Sequence, residues 1–66
     1  MKNNIRMLRA SRRMTQQELA VLAGVSRQTI NAMESCKYVP STVLALKIAR
    51  IFSVKVDDVF ILEEGD

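Results

Sequence analysis

The sequence has no histidine, no tryptophan, one cysteine, one proline and two glycines among its 66 residues. Without histidine, and with no evident base for Cys36, it lacks the nucleophile–base pair that hydrolytic enzymes use, so an enzyme is not expected. The same lack removes the usual ligand sets of zinc, and no cofactor or metal is expected. A lone cysteine excludes an internal disulfide, which makes a reducing, cytoplasmic setting the simplest expectation. A redox switch at Cys36 would need a resolving partner, and an inert thiol is preferred. Two Phe and one Tyr are too few for a face that stacks RNA bases. Scarce aromatics and turn residues also argue against a strand-rich fold. No run approaches the roughly 18 consecutive apolar residues of a membrane span. Met1-Lys2-Asn3-Asn4 leads into charged sequence rather than the apolar stretch of a signal peptide.

What is present is a helical vocabulary. Apolar residues make up 48% and charged ones 26%, the profile of a folded domain with a solvated surface. The length allows one domain, residues 1–66, whose thin core favours oligomerisation. The net charge of +3 is unevenly spread. Residues 1–50 carry nine Lys or Arg against Glu18 and Glu34, or +7; residues 51–66 carry Lys55 against five acids, or −4. A basic body with an acidic tail suits a polyanionic partner, and equally a mixed solvated surface.

Ile5 and Leu8, with Met7 beside them and arginines between, predict a first helix over about 4–13. Thr15-Gln16-Gln17-Glu18 has the form of a capping box opening a second helix to Ala23, with Leu19, Leu22 and Ala23 inward. Gly24 suits the left-handed residue that ends it. Ser26 then caps a third helix over 27–35, with Ile30 and Met33 inward and Arg27, Gln28, Asn31 and Ala32 outward. After Lys37, Tyr38, Val39 and Pro40, Ser41 caps a fourth helix to about Phe52. Its inner stripe is Leu44, Ala45, Ile48, Ala49 and Phe52. Asp57 and Asp58 open a brief fifth helix, where acids favour the positive end of the dipole. The apolar run Val59, Phe60, Ile61, Leu62 follows, and residues 60–63 can pair as a strand with residues 1–4.

Helices over 15–23 and 26–35 joined by a tight glycine turn form a helix-turn-helix. The small Ala20 permits a close crossing, while Val25, Ile30 and Met33 anchor the second helix and leave its outer face free for a major groove. Here the chain resembles the Cro/cI-type (lambda-repressor-like, XRE) family from about Ile5 to Phe60. The resemblance is carried by Thr-Gln-Gln-Glu-Leu-Ala (15–20), Gly-Val-Ser-Arg-Gln-Thr-Ile (24–30), Glu34, Pro40-Ser41 and Ala-Leu-Lys-Ile-Ala (45–49). It implies an all-α, five-helix DNA-binding domain, with a short terminal β-ribbon as an accompaniment. Ser26, Arg27, Gln28 and Ala32 would face base edges; a bidentate Arg–guanine or Gln–adenine pair is worth about 1–3 kcal/mol of discrimination. Gln16, Gln17, Asn31, Lys37 and Tyr38 would contact phosphates. Arg9 and Glu34 would pair structurally. Two departures stand out. Ser35-Cys36 replaces the family's usual Asn-Gly, with about 1 kcal/mol of strain expected at the turn. Thr42-Val43 sits where an apolar and then a polar residue are usual, which rotates the fourth helix slightly or leaves Val43 for a partner to cover.

The implied function is a transcriptional regulator, a repressor sooner than an activator, that binds a two-fold operator in double-stranded DNA as a homodimer. The tail Val59, Phe60, Ile61 and Leu62 either closes the monomer core or, with Val43, forms the dimer interface; the interface is preferred. The alternative is a protein-interaction module, an antitoxin or co-regulator whose partner is another protein and whose DNA binding is secondary. No membrane contact and no small-molecule ligand are suggested.

Overall fold

Local capping sets where the chain turns. The computed structural model describes all 66 residues: β1 (Lys2–Asn3), α1 (Ile5–Ser11), α2 (Gln16–Ala23), α3 (Arg27–Glu34), α4 (Thr42–Ile51), α5 (Val56–Val59) and β2 (Phe60–Ile61). The Thr15 hydroxyl accepts from the Glu18 N–H at 3.0 Å, and the Glu18 carboxylate accepts from the Thr15 N–H at 3.0 Å. Two otherwise orphaned donors at the start of α2 are thereby satisfied. The same contacts hold the Glu18 carboxyl below its ordinary pKa, the Thr15 backbone N–H foremost. Ser26 and Ser41 cap α3 and α4, accepting from Thr29 N–H at 3.1 Å and Leu44 N–H at 3.2 Å. Gly24 ends α2 in the left-handed region at φ 74°, so that only two residues separate α2 from the cap of α3.

α2 and α3 cross over a small-residue seam. Ala20 and Ala23 are buried there with Leu19 of α2 and Ile30 and Met33 of α3. Ile5 of α1, Leu44, Ile48 and Ala49 of α4, and Phe52 at its C-terminal cap complete the centre. The stripe assigned to α4 is therefore present, with Ala45 half-buried at its edge. The expected inner face of α2 is wrong at one position. Leu22 is 59% exposed and Ala20 takes the inward place, because a bulky side chain at the crossing would hold the two helices of the motif apart.

The termini meet in an antiparallel ribbon pairing Lys2 with Ile61 and Asn3 with Phe60, shorter than the 1–4 and 60–63 pairing expected. It corrects the role given to part of the tail. Val59 is 0% exposed and belongs to the chain's own core, and Phe60 packs against that core; only Ile61 and Leu62 remain exposed. Closing the monomer thus consumes the first half of the apolar run. The Asn4 N–H donates to Val59 O at 2.8 Å and the Asn4 carboxamide to Asp58 O at 3.0 Å, fastening α1 to α5.

The turn after α3 adopts the left-handed conformation without glycine: Cys36 lies at φ 60°, while its N–H donates to Met33 O at 3.0 Å. A side chain in this region costs about 1–2 kcal/mol, partly offset in any glycine variant by the greater freedom of its unfolded chain. We expect Cys36→Gly to stabilise the fold by about 0.5–1 kcal/mol, raising the melting temperature by a few degrees. Calorimetry showing no gain or a loss would mean that the thiol's packing outweighs the backbone strain.

Candidate nucleic-acid interface

The outer face of α3 follows from its inner one. With Ile30 and Met33 buried three residues apart, Arg27, Gln28 and Asn31 are turned to solvent and Ala32 sits half-buried at the margin. Arg27 and Gln28 make no side-chain hydrogen bond or ion pair within the chain. The Ser26 hydroxyl is partly occupied: besides capping α3 it lies 3.0 Å from the Thr29 hydroxyl. Lys37 and Tyr38 are exposed in the loop beyond α3, and Gln17 is exposed in the first turn of α2. Positions 16, 17, 26–28, 31, 32, 37 and 38 therefore lie on the two helices of the motif and the loop that follows them.

Behind this face sits a carboxylate cluster. The Glu34 side chain has 0% exposure. Its Oε2 accepts from Arg9 Nε at 2.5 Å and its Oε1 from Arg9 Nη2 at 2.9 Å, a bidentate charge-assisted pair. The third Arg9 nitrogen donates to Met14 O at 2.9 Å. Gln16 Nε2 also donates to Glu34 Oε1, at 3.2 Å, and to Asn31 Oδ1 at 3.3 Å. Arg6, 72% exposed, adds a longer contact at 3.5 Å to the same oxygen. Sequence reasoning missed Arg6; the available signal was its spacing of three from Arg9, which sets both on one face of α1. Burial pushes the Glu34 carboxyl up, but hydrogen bonds from Arg9 and Gln16, with the charge of Arg9, outweigh it and hold the group below the ordinary glutamate range. The same pairing raises the already high pKa of Arg9.

Two further contacts went unforeseen. The Asn3 carboxamide donates to Met33 O at 2.8 Å, a second hydrogen bond to a carbonyl that also accepts from the Cys36 N–H. Arg12 lies over the Phe52 ring, 5.2 Å from its centroid, and donates to Ile51 O at 3.2 Å and to Phe52 O. Apart from Arg6 and Arg9, no Lys or Arg side chain is ion-paired. No group of three or more metal-ligating side chains is assembled, and no helix is long and apolar enough to cross a membrane.

Similarity to known proteins falls on the same elements. Residues 5–59 match the family described as Helix-turn-helix. An uncharacterized HTH-type transcriptional regulator of Methanocaldococcus jannaschii is 52% identical over 66 residues, covering all of both chains. One of Bacillus subtilis is 52% identical over 64 residues, covering 97% of each. One of Archaeoglobus fulgidus is 50% identical over all of this chain and 93% of its own. Among solved structures, the restriction-modification controller protein C.AhdI from Aeromonas hydrophila superposes with a TM-score of 0.78 at 28% identity, covering 85% of each chain.

Because the ionised form of Glu34 is favoured in the folded state, its contribution to stability is complete above the ordinary glutamate pKa and is lost as pH falls through the lower folded value. Arg9→Met leaves a buried carboxylate with weaker partners. We expect it to cost about 2–4 kcal/mol at pH 7. The deficit should shrink on acidification towards pH 4, since protonation weakens the wild-type pair and relieves the variant. Denaturant titrations at the two pH values test this; a deficit independent of pH would assign the loss to packing of the arginine stem.

Proposed function

We propose that this chain, which belongs to the helix-turn-helix family of XRE (Cro/cI) type and is a DNA-binding transcriptional regulator and not an enzyme, is a repressor that binds a two-fold operator as a homodimer, each α3 entering a major groove. The observation that carries this reading is the outer face of α3, where Arg27 and Gln28 stand exposed with no partner in the chain. Groups so placed are free to meet base edges: Arg27 suits guanine O6 and N7, Gln28 suits adenine N6 and N7, and the methyl of Ala32 suits a thymine methyl. Ser26, at the mouth of α3, is the fourth base-facing residue.

Backbone contacts would flank these. The N–H groups of Gln16 and Gln17 begin α2, where the helix dipole favours an anion. Lys37 and Tyr38 would hold the phosphates beyond α3, and the unpaired cations add a salt-sensitive attraction. Asn31 is the remaining contact, taken up below.

The homodimer reading rests on apolar surface that the monomer leaves uncovered. Val43 and Leu46 of α4 are 65% and 54% exposed. They line one groove with Ala49, Val54 and Val56, and Leu46 and Val56 also line a second groove reaching Val39, Pro40 and Phe60. The two grooves share Leu46 and Val56 and so form one largely apolar surface, edged by Lys47, Arg50 and Asp57. A second copy meeting this face would give the isologous contact of a two-fold operator, with half-sites about 10 bp apart or a multiple of that. Occupying a promoter needs no surface beyond these two, which supports repression over activation.

Selection from random duplex DNA at a fixed, moderate salt concentration is the test, with a two-fold motif as the expected product. Arg27→Ala should relax the preference at one base pair per half-site, losing about 1–3 kcal/mol there, whereas Lys37→Ala should weaken all sequences alike. Uniform loss in both variants would remove Arg27 from base reading. In sedimentation equilibrium, Leu46→Lys should shift the protein towards monomer and weaken operator binding while α3 stays folded. If no motif is enriched and a second protein copurifies at fixed stoichiometry, the interaction-module reading replaces this one.

A further inference from the structure

We infer that Gln16 is a positioning residue: it fixes the carboxamide of Asn31 so that α3 offers DNA a hydrogen-bond donor, and not an acceptor, at that position. This rests on α3 being the DNA-reading helix, and it gives the Gln16 side chain a task other than phosphate contact.

The reasoning starts from a charge. An ionised carboxylate can only accept hydrogen bonds, and Glu34 is kept ionised by the bidentate arginine behind it. The Gln16 atom that lies 3.2 Å from Glu34 Oε1 must therefore be its amide nitrogen, not its oxygen. That same nitrogen lies 3.3 Å from the Asn31 carboxamide, so the Asn31 atom facing it must be Oδ1. A carboxamide nitrogen has two hydrogens, and both are now committed inside the protein. What Gln16 has left is its oxygen, which a phosphate repels. What Asn31 has left is Nδ2, on an exposed residue of α3 and without a partner in the chain. The polarity of the Arg9–Glu34 pair is thus transmitted through two neutral amides to the surface.

An asparagine with a freely turning amide presents either a donor or an acceptor to a base edge. One held in this way favours an acceptor: purine N7, guanine O6 or a phosphate oxygen. Ordering the amide before binding also lowers the entropy lost when the complex forms.

A double-mutant cycle on the whole protein with its selected operator tests the inference. Gln16→Met keeps the length of the side chain and removes its donors. Alone it should weaken operator binding by about three- to tenfold. In an Asn31→Ala background it should have no further effect, because a residue that acts only through Asn31 has nothing left to orient. In N31A, an altered base preference assigns the donor to a base edge; an equal loss on all sequences assigns it to a phosphate. If Q16M loses the same factor in both backgrounds, Gln16 acts on the DNA independently of Asn31, as a phosphate ligand would, and the inference is overturned.

Side-chain amide NMR of the free protein keeps this separate from the functional reading. The Asn31 carboxamide should be ordered in wild type and mobile in Q16M, whether or not DNA binds. Equal mobility in both would overturn the inference even for a confirmed repressor. Failure of wild type to select any operator would overturn the repressor while leaving the NMR result to decide the role of Gln16. Should Q16M fold poorly, Gln16→Ala serves in its place.

Discussion

The bidentate pair of Arg9 and Glu34 is the constraint around which this small structure is arranged. It joins three pieces of chain at once: α1 through Arg9, the approach to α2 through Met14 O, and the last residue of α3 through Glu34. A carboxylate with no exposed surface loses its hydration, and only a close, multiply bonded cation offsets that loss. Arginine can do so because its planar fork satisfies both carboxylate oxygens and still has a nitrogen for a third acceptor. A lysine would hold one oxygen and leave the other to a neutral amide. The orientation of α3 against α1 is therefore specified by geometry as well as by apolar contact, which matters in a core whose helices are only seven to ten residues long, apart from the four-residue α5.

That arrangement holds α3 at both ends and leaves its outer face unencumbered. At the N-terminal end the Ser26 cap and the half-buried Val25 set the entry angle. At the C-terminal end Asn3, placed by the terminal ribbon, bonds Met33 O, while Glu34 is gripped by Arg9. Ile30 and Met33 supply the apolar seat between them. A helix of eight residues is too short to persist by propensity alone; its shape comes from these restraints. The short two-residue strands are thus part of the interface's support, since they deliver Asn3 to the end of α3.

The features legible in the sequence are those decided within a few residues. The capping box at Thr15 and Glu18, the serine caps and the left-handed Gly24 all depend on spacing of three or four, and each is where local chemistry requires it. The seat of Ile30 and Met33 follows from helical period in the same way. Leu22 and Val59 were misread because hydrophobicity ranks residues by how much they gain from burial, not by how much room there is. At the α2–α3 crossing the room suits alanine, and at the chain's end the core had space for one more valine, which the ribbon draws in. The links from Asn3 to Met33 and from Arg12 to α4 span 30 residues or more, and polar side chains carry no periodic signal of their partners. The Gln16–Asn31 contact was hidden for a further reason: both residues have an evident outward use, which obscured their use for each other.

The acids show why so small a basic protein can combine attraction with discrimination. Glu18 is spent on the cap of α2, Glu34 on Arg9, and Asp58 on the Lys55 N–H at the start of α5. Each neutralises a local donor or buried cation, and none pairs with Arg27, Lys37, Lys47 or Arg50. The cations of the body therefore keep their field, which governs the salt-dependent approach to a polyanion and says nothing about sequence. On the proposed reading, discrimination falls to the few uncommitted polar groups on the outer face of α3. Arg27 and Gln28 stand there with no partner in the chain, whereas Asn31 would take its direction from a buried charge two side chains away. On that reading, an acid removed from the surface into the core contributes more to specificity than one left outside, where it would only cancel a neighbouring cation.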